Sequence, residues 1–245
     1  MEKFKLKRVW VEASLHKAAT IKITSKEKLH HLTVVLKVRA GEQLRLFNAA
    51  DGEWLGQVQS KTNKELVIEV KEQLKQASQD SNITIAFAPI KLDRLRFLIE
   101  KCTEIGAKEF IPVITERTTL RNLKSVKLDA YALGAAEQSE RFSIPVIREP
   151  VSLKSFLEQN TTTPILFCSE RSNAKFIKDT LRTLPNLGPL IILIGPEGGF
   201  TPAEQKAITS NKAVHPISLG HNILRAETAA TFALSCAVCE AYADS

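Results

Sequence analysis

Apolar and polar positions change their period once along this chain, near residue 80. Before that point the alternation is two-fold. Residues 4–11, 43–47, 53–60 and 66–70 switch between apolar and polar side chains, which predicts strands with one buried face. Asp51-Gly52 and Asn63-Lys64 supply turn signals between them. Residues 25–35 break the alternation and predict a short helix capped by Ser25. Several short strands with tight turns predict a small barrel over 1–72. The polar stretch that follows, rich in Gln, Ser and Asp, predicts a linker over 73–82.

From Ile83 onward continuous apolar runs alternate with helical periodicity. Candidate strands are 83–88, 110–115, 144–147, 165–168, 190–194 and 214–219, with an amphipathic helix after each, the last from about Ala226 to Tyr242. Strands without alternation are buried on both faces. Six such βα units therefore predict an α/β domain over 83–245, a mostly parallel sheet with helices on both sides. No internal repeat, low-complexity segment or heptad pattern is visible.

Two of the strand–helix junctions stand apart. Gly195-Pro196-Glu197-Gly198-Gly199-Phe200 precedes Thr201-Pro202-Ala203-Glu204, a helix start in which Thr201 caps, Pro202 suits the first helical position and Glu204 reaches back. Leu219-Gly220-His221-Asn222-Ile223-Leu224-Arg225-Ala226-Glu227-Thr228 leads into the Ala-rich final helix. Ligands of open α/β sheets bind outside the carboxyl ends of strands, where both loops fall. Three glycines in six residues let a backbone approach a ligand closely. The loop has no lysine, against a phosphate loop, and its glycine spacing does not match the dinucleotide fingerprint. An acidic loop without a fixed cation suits a positively charged ligand, and S-adenosyl-L-methionine, a sulfonium on an adenosine, fits that description. The alternative for one such loop alone is a tight structural connection with a satisfied carboxylate; a second loop of similar context weighs against it.

These loops, together with Glu100-Lys101-Cys102-Thr103-Glu104-Ile105-Gly106 before Ile111-Pro112, and Ala135-Ala136-Glu137-Gln138-Ser139-Glu140-Arg141 before Ile144-Pro145, form four blocks in order. In them the chain resembles, over nearly its whole length, the RsmE family, the 16S ribosomal RNA (uracil-N3)-methyltransferases of the SPOUT superfamily. The resemblance implies a PUA-like N-terminal barrel, a trefoil-knotted methyltransferase domain and a homodimer, to whose interface Thr228 and Ala229 are suited. Ile105-Gly106 stands where the family usually has Leu-Gly, Leu95-Arg96 where it has Met-Glu, and Lys37 where an arginine commonly ends the run. The cofactor residues expected are Leu193, Ile194, Gly195, Pro196, Glu197 and Gly198 from the first loop, and Leu219, Gly220, Asn222, Ile223 and Leu224 from the second.

Methylation of uracil N3 removes the N3 proton and spreads negative charge over the imide. A guanidinium aimed at the two oxygens would stabilise that anion in the transition state. Arg225, at the start of the last helix, is the first catalytic candidate; its alternative role is an ion pair with Glu227. Glu197 is the second, as proton acceptor or as holder of the sulfonium end, the former favoured if the loop desolvates it. Glu137, Gln138 and Arg141 are read as facing substrate or the partner subunit on the strength of the resemblance, with a surface ion pair as the alternative. For RNA phosphates, Arg8, Lys37, Arg39 and Arg117 are the candidates, with Lys5, Lys7 and Arg45 beside them; such residues also serve any solvated surface.

Composition narrows the partners. A net charge of +7 and pI near 9.2 suit a polyanion. The excess is uneven: residues 1–72 hold 14 Lys or Arg against 9 Asp or Glu, and a second basic cluster runs through Arg117, Arg121, Lys124 and Lys127. No apolar run approaches the ~18–20 residues that span a bilayer, and the first eight residues lack a signal-peptide core, which predicts a cytoplasmic protein with no membrane partner. Cys236 and Cys239 have CxxC spacing but no second pair or nearby His, so the four cysteines read as small buried hydrophobes and no metal site is expected, nor do the five histidines have metal-like spacing. Two rivals remain to the N3-methyltransferase: RNA 2′-O-ribose methylation, whose branch usually carries an Asn- and Arg-bearing motif where 103–118 has only Arg117, and a non-catalytic ribosome-assembly protein that keeps the scaffold.

Overall fold

The four period-two stretches each hold a strand, and these with one further strand build the first of two units. In the computed structural model, which describes residues 5–78, 81–121, 123, 125–169, 174–184 and 188–243, the units are Met1–Gln79 with Ala136–Ser143, and Asp80–Ala135 with Ile144–Ser245. Lys124 of the expected basic cluster lies outside the described residues.

In the first unit β1 (Arg8–Trp10), β2 (Thr20–Ile23), β3 (Gln43–Asn48), β4 (Gly52–Lys61) and β5 (Leu66–Lys75) form a sheet in the order β1-β3-β4-β5-β2. The pairings are antiparallel except that of β1 with β3, which sets Arg8 opposite Arg45. Register shifts between β4 and β5 bend both strands. The sheet curls around α1 (Lys26–His30) and the π-helical turn His31–Val35 that continues it, with Leu29 and Leu32 buried among Val9, Leu44, Leu46, Ile68 and Val70. β1 and β2 remain edges, so the unit is an open half-barrel. Ser25 stands at the N-cap, yet its side chain makes no capping bond. Lys28 instead pins the helix, donating to the Trp10 carbonyl with its ammonium 4.9 Å from the centre of the Trp10 ring. Two readings change here. β2 is a strand that the sequence pattern did not reveal, and β5 runs on to Lys75, where Gln73 faces Trp54 and Lys75 faces Glu53, so residues 73–75 are strand rather than linker.

The second unit holds β6 (Ile83–Phe87), β7 (Glu109–Ile114), β8 (Val146–Ile147), β9 (Val151–Ser152), β10 (Ile165–Cys168), β11 (Lys175–Phe176), β12 (Leu190–Ile194) and β13 (Val214–Ser218). Its helices are α2 (Leu92–Ile105), most of α3 (Ser125–Gln138), α4 (Leu153–Gln159), α5 (Ile177–Leu181), α6 (Pro202–Ser210) and α7 (Ala226–Ala243). The strand order is β11-β13-β10-β12-β6-β7-β8, with β9 beside β7, and every pairing is parallel. Both faces are covered, as the apolar runs require. Along β12, Leu190, Ile192 and Ile194 pack with α2, α3, α5 and α7, while Ile191 and Leu193 pack with α4 and α6.

The chain steps outward from β6 through β7 to β8, then returns with β10 on the other side, leaving a place beside β6 that β12 fills. The regular βα alternation breaks after β8, where the chain enters β9 before α4; β9 and β11 are too short for any periodic signal. α6 starts as its sequence dictates: Thr201 Oγ1 accepts from the Glu204 amide at 3.3 Å and Glu204 Oε2 accepts from the Thr201 amide at 2.9 Å. On α7, Ala230, Ala233 and Ala237 are buried, whereas Cys239 is exposed and Cys236 half-buried. Two residues beyond Ala237 is just past half-way round a helix, on the opposite face, so Cys239 turns outward and the expectation of a buried pair fails. Among the described residues no helix is long and apolar enough to cross a membrane.

Candidate active site

β10 lies between β12 and β13, so the loops that leave those two strands rise on either side of its carboxyl end. Between them is a cavity of about 690 Å³, floored by Phe167, Cys168 and Ser169. That volume is typical of a small-molecule site. Ile194, Gly195, Pro196 and Glu197 line it from the first loop; Leu219, Gly220, Asn222, Ile223 and Leu224 line it from the second, with Arg225 and Ala226 following. Nine of the cofactor candidates thus share one cavity. His221 joins them.

Two candidates are placed otherwise. The Leu193 side chain is fully buried in the layer under α4 and α6, and the residue does not line the cavity. Gly198 turns toward Arg117: a β-carbon there would sit 3.5 Å from Arg117 Cδ, and the Gly198 carbonyl accepts from Arg117 Nη1 at 2.7 Å. Arg117 is therefore tied to the back of the glycine loop.

The glycines have separate duties. A β-carbon on Gly195 would lie 2.6 Å from Phe200 Cε2, so its absence lets the Phe200 ring fold under the loop and meet Phe167 edge-on, centroids 5.4 Å apart. Gly220 has φ of 122°, a conformation that side chains rarely tolerate, and its amide donates to Ser218 Oγ at 3.2 Å.

The charges of the site differ from the pattern the sequence suggests. Glu197 is exposed rather than desolvated and forms an ion pair with Arg94, a cavity-lining residue of α2. Arg94 Nε also lies 4.0 Å from Glu227 Oε1. Glu227 is buried, and its Oε2 has no hydrogen-bond partner among the described residues. The partner of Glu227 is thus Arg94 and not Arg225, which makes no side-chain hydrogen bond or ion pair among the described residues and stands exposed at the cavity edge. Cys168 is held neutral, its thiol pushed up to about 12 by burial, so the floor offers an apolar contact rather than a nucleophile. Arg94, Phe167, Cys168, Ser169 and Gln205 line the cavity without having been singled out from the sequence. A strand order that sets β10 between β12 and β13 is what brings the floor there.

In the first unit the RNA candidates separate into two groups. Lys37 and Arg39 are exposed, Lys37 with φ of 52° just after the π-helical turn. Arg8 is buried: Nε binds Glu53 Oε2 at 2.5 Å, Nη1 donates to the Ala136 carbonyl at 3.0 Å, and the guanidinium lies 3.5 Å from the Phe47 ring centre. It is core, and the phosphate-contact reading is withdrawn for it and for buried Arg45, which bridges Glu53 and Glu140 at 3.3 and 2.6 Å. Glu137 is pushed above the ordinary carboxylate range by burial and accepts from the Trp10 amide at 3.2 Å. Arg141 is buried, donating to Ser143 Oγ, so it too is packed rather than presented; Gln138 is exposed.

Comparison with known proteins adds three findings. A family model described as an RNA methyltransferase domain matches residues 76–238, and one described as an RNA methyltransferase PUA domain matches residues 23–71. The chain is similar to ribosomal RNA small subunit methyltransferase E of Rickettsia conorii, 35% identical over 94% of either chain, and to that of Bacillus subtilis, 30% identical over 94% of this chain and 95% of the other. Its structure superposes with a TM-score of 0.82 and 27% identity on a Legionella pneumophila protein solved in complex with the bound cofactor SAM, covering 95% of this chain and 97% of that one.

Proposed function

The chain belongs to the ribosomal RNA small subunit methyltransferase E family, and we propose that its cavity binds S-adenosyl-L-methionine (SAM) and directs the methyl group to N3 of one uridine in 16S ribosomal RNA of the small subunit. The observation that carries this reading is Arg225: an exposed guanidinium without a protein partner among the described residues, on the edge of a cavity framed by two glycine-bearing loops. The residues present fit the cofactor. The cavity has the right size class, offers main chain at Gly195 and Gly220, and is lined by Arg94, which lies 4.0 Å from buried Glu227, whose other oxygen has no hydrogen-bond partner among the described residues. When bound, SAM supplies a methyl group activated by its sulfonium.

The protein then aligns and stabilises. Arg225 presents a planar donor fork to the two imide oxygens, whose charge grows as the N3 proton leaves. Glu197, exposed and paired with Arg94, holds the glycine loop against α2, and the N3 proton passes to its carboxylate or to water at the open cavity edge. The exposed Arg117, Lys37 and Arg39 meet phosphates, which position the RNA without reading its sequence. A homodimer belongs to the same reading. Leu92, Phe97, Ile223 and Phe232 are exposed on elements of the second unit and would be covered by a second copy. A cytoplasmic location belongs to the same reading, since that is where the proposed ribosomal RNA substrate would be met.

The test is transfer of labelled methyl from SAM to small ribosomal subunits that lack the modification, followed by nucleoside mass spectrometry. 3-Methyluridine is the expected product. A ribose-methylated nucleoside would replace this reading with the 2′-O one, and cofactor binding without transfer to any small-subunit RNA would reject it. Light scattering tests the dimer, which a monomeric mass would refute.

A further inference from the structure

The described residues of the loop after β7 line no part of the cavity, yet that loop is fastened to the one that does. At its base Thr115 and Thr118 are buried and bound to each other: the Thr115 amide donates to Thr118 Oγ1 at 2.9 Å, and the two hydroxyls are 2.9 Å apart. The turn is therefore preformed. From it two links cross to the glycine loop and the helix it feeds. The Glu116 amide donates to Glu204 Oε1 at 2.7 Å, and Arg117 Nη1 donates to the Gly198 carbonyl at 2.7 Å. Glu204 is the same carboxylate whose other oxygen closes the capping box on the Thr201 amide at 2.9 Å. One side chain thus spends each of its oxygens on a different loop. Bonds from amides to a carboxylate are the stronger, charge-assisted kind, and Glu204 itself is immobilised by the helix start.

We propose that Glu204 is a positioning residue: with Arg117 it makes the β7–α3 loop and the glycine loop a single body, so that filling the cavity also fixes the loop that carries Arg117 and Arg121. The proposal rests on the cavity being the SAM site. Its consequence is that cofactor and RNA bind with positive coupling although they touch different loops. Ordering one loop already meets the entropic requirement of ordering the other. Arg121 follows the turn because its Nη2 donates back to the Glu116 carbonyl at 3.3 Å.

Amide hydrogen exchange with and without S-adenosylhomocysteine tests this without any RNA. The unaltered full chain is compared with Glu204→Ala, with Glu204→Ala/Arg117→Ala, and with Thr201→Ala, which weakens the same helix cap but leaves the bridge to Glu116. The ligand is expected to slow exchange at 195–200 in all four. At 116–121 it slows exchange in the unaltered protein and in Thr201→Ala, less in Glu204→Ala, and not at all in the double variant. Protection of 116–121 that survives in the double variant overturns the proposal, as does its absence in the unaltered protein when 195–200 is protected. No protection at 195–200 in the unaltered protein would reject the cavity assignment itself, and the coupling with it.

Discussion

Glu53 is the residue on which the first unit should be most dependent. It is fully buried, and two buried guanidiniums, Arg8 and Arg45, share its carboxylate at 2.5 and 3.3 Å. Burial pulls the Arg8 guanidinium below its ordinary range, and the bond and charge of Glu53 act against that pull. Glu53→Gln keeps the volume and removes the charge. Arg45 then still has Glu140 at 2.6 Å, but Arg8 is left buried with neutral acceptors, the Gln oxygen and the Ala136 carbonyl, and the faces of Phe47 and Phe142. Breaking one partner out of a buried pair typically loses about 3–5 kcal/mol, a large share of the roughly 5–15 kcal/mol that holds a protein folded. The chain has two tryptophans, Trp10 and Trp54, and both belong to this unit, so their fluorescence in urea reports it selectively. The expected result is a midpoint lower by more than about 1 M urea, given slopes of roughly 1–3 kcal/mol per molar. Arg8→Met combined with Glu53→Leu removes the charges together and should lose less than Glu53→Gln alone. A single variant that unfolds with the unaltered midpoint, or a double variant worse than the single, would refute the reasoning.

Other perturbations bear on the site and on pH. Arg225→Ala should leave cofactor affinity near normal by calorimetry while lowering kcat by about 10²–10³, the usual effect of removing one charge-stabilising donor; normal turnover would remove Arg225 from the chemistry. Gly195→Ala puts a methyl 2.6 Å from Phe200 and should destabilise by about 1–3 kcal/mol and weaken the cofactor, with Phe200→Leu restoring part of both if the clash is the cause. Glu140 is held down to about 2 by Lys75 and Arg45, below its ordinary 4.5, so its contribution to stability is present above 4.5 and lost as pH falls toward 2. The gap in urea midpoint between the unaltered protein and Glu140→Gln should accordingly narrow through that window; a gap constant with pH would contradict the ion-pair account.

Local signals carried much of this structure. Thr201, Pro202 and Glu204 state a helix start in four residues, and the uninterrupted run 190–194 states a strand buried on both faces, because both depend only on neighbours in sequence. The cavity floor was not legible in that way. Cys168 and Ser169 matter because β10 lies between β12 and β13, a relation decided by the whole sheet. The same holds for charge. Arg8 reads like any basic residue of a solvated sheet until Glu53, 45 positions away, is brought against it. Arg94 gave no hint of reaching Glu197 across 103 positions. Side chains whose meaning depends on distant partners leave no local mark.

The position of β12 also governs how the molecule can come into being. It is the strand that joins β6 to β10, which do not pair with each other, and it lies at 190–194, late in the order of synthesis. While the chain emerges, β6 can pair with β7 and β7 with β8 and β9, whereas β10 and β11 have no partner until β12 and β13 follow, so pairings between distant segments must wait. Folding dominated by such non-local contacts is slow. The half-assembled sheet meanwhile exposes two unpaired edges that invite association with other chains. The second unit is therefore the part of this protein that should need protection during biogenesis, and the cavity exists only when β12 and then β13 with the loop behind it have slotted home.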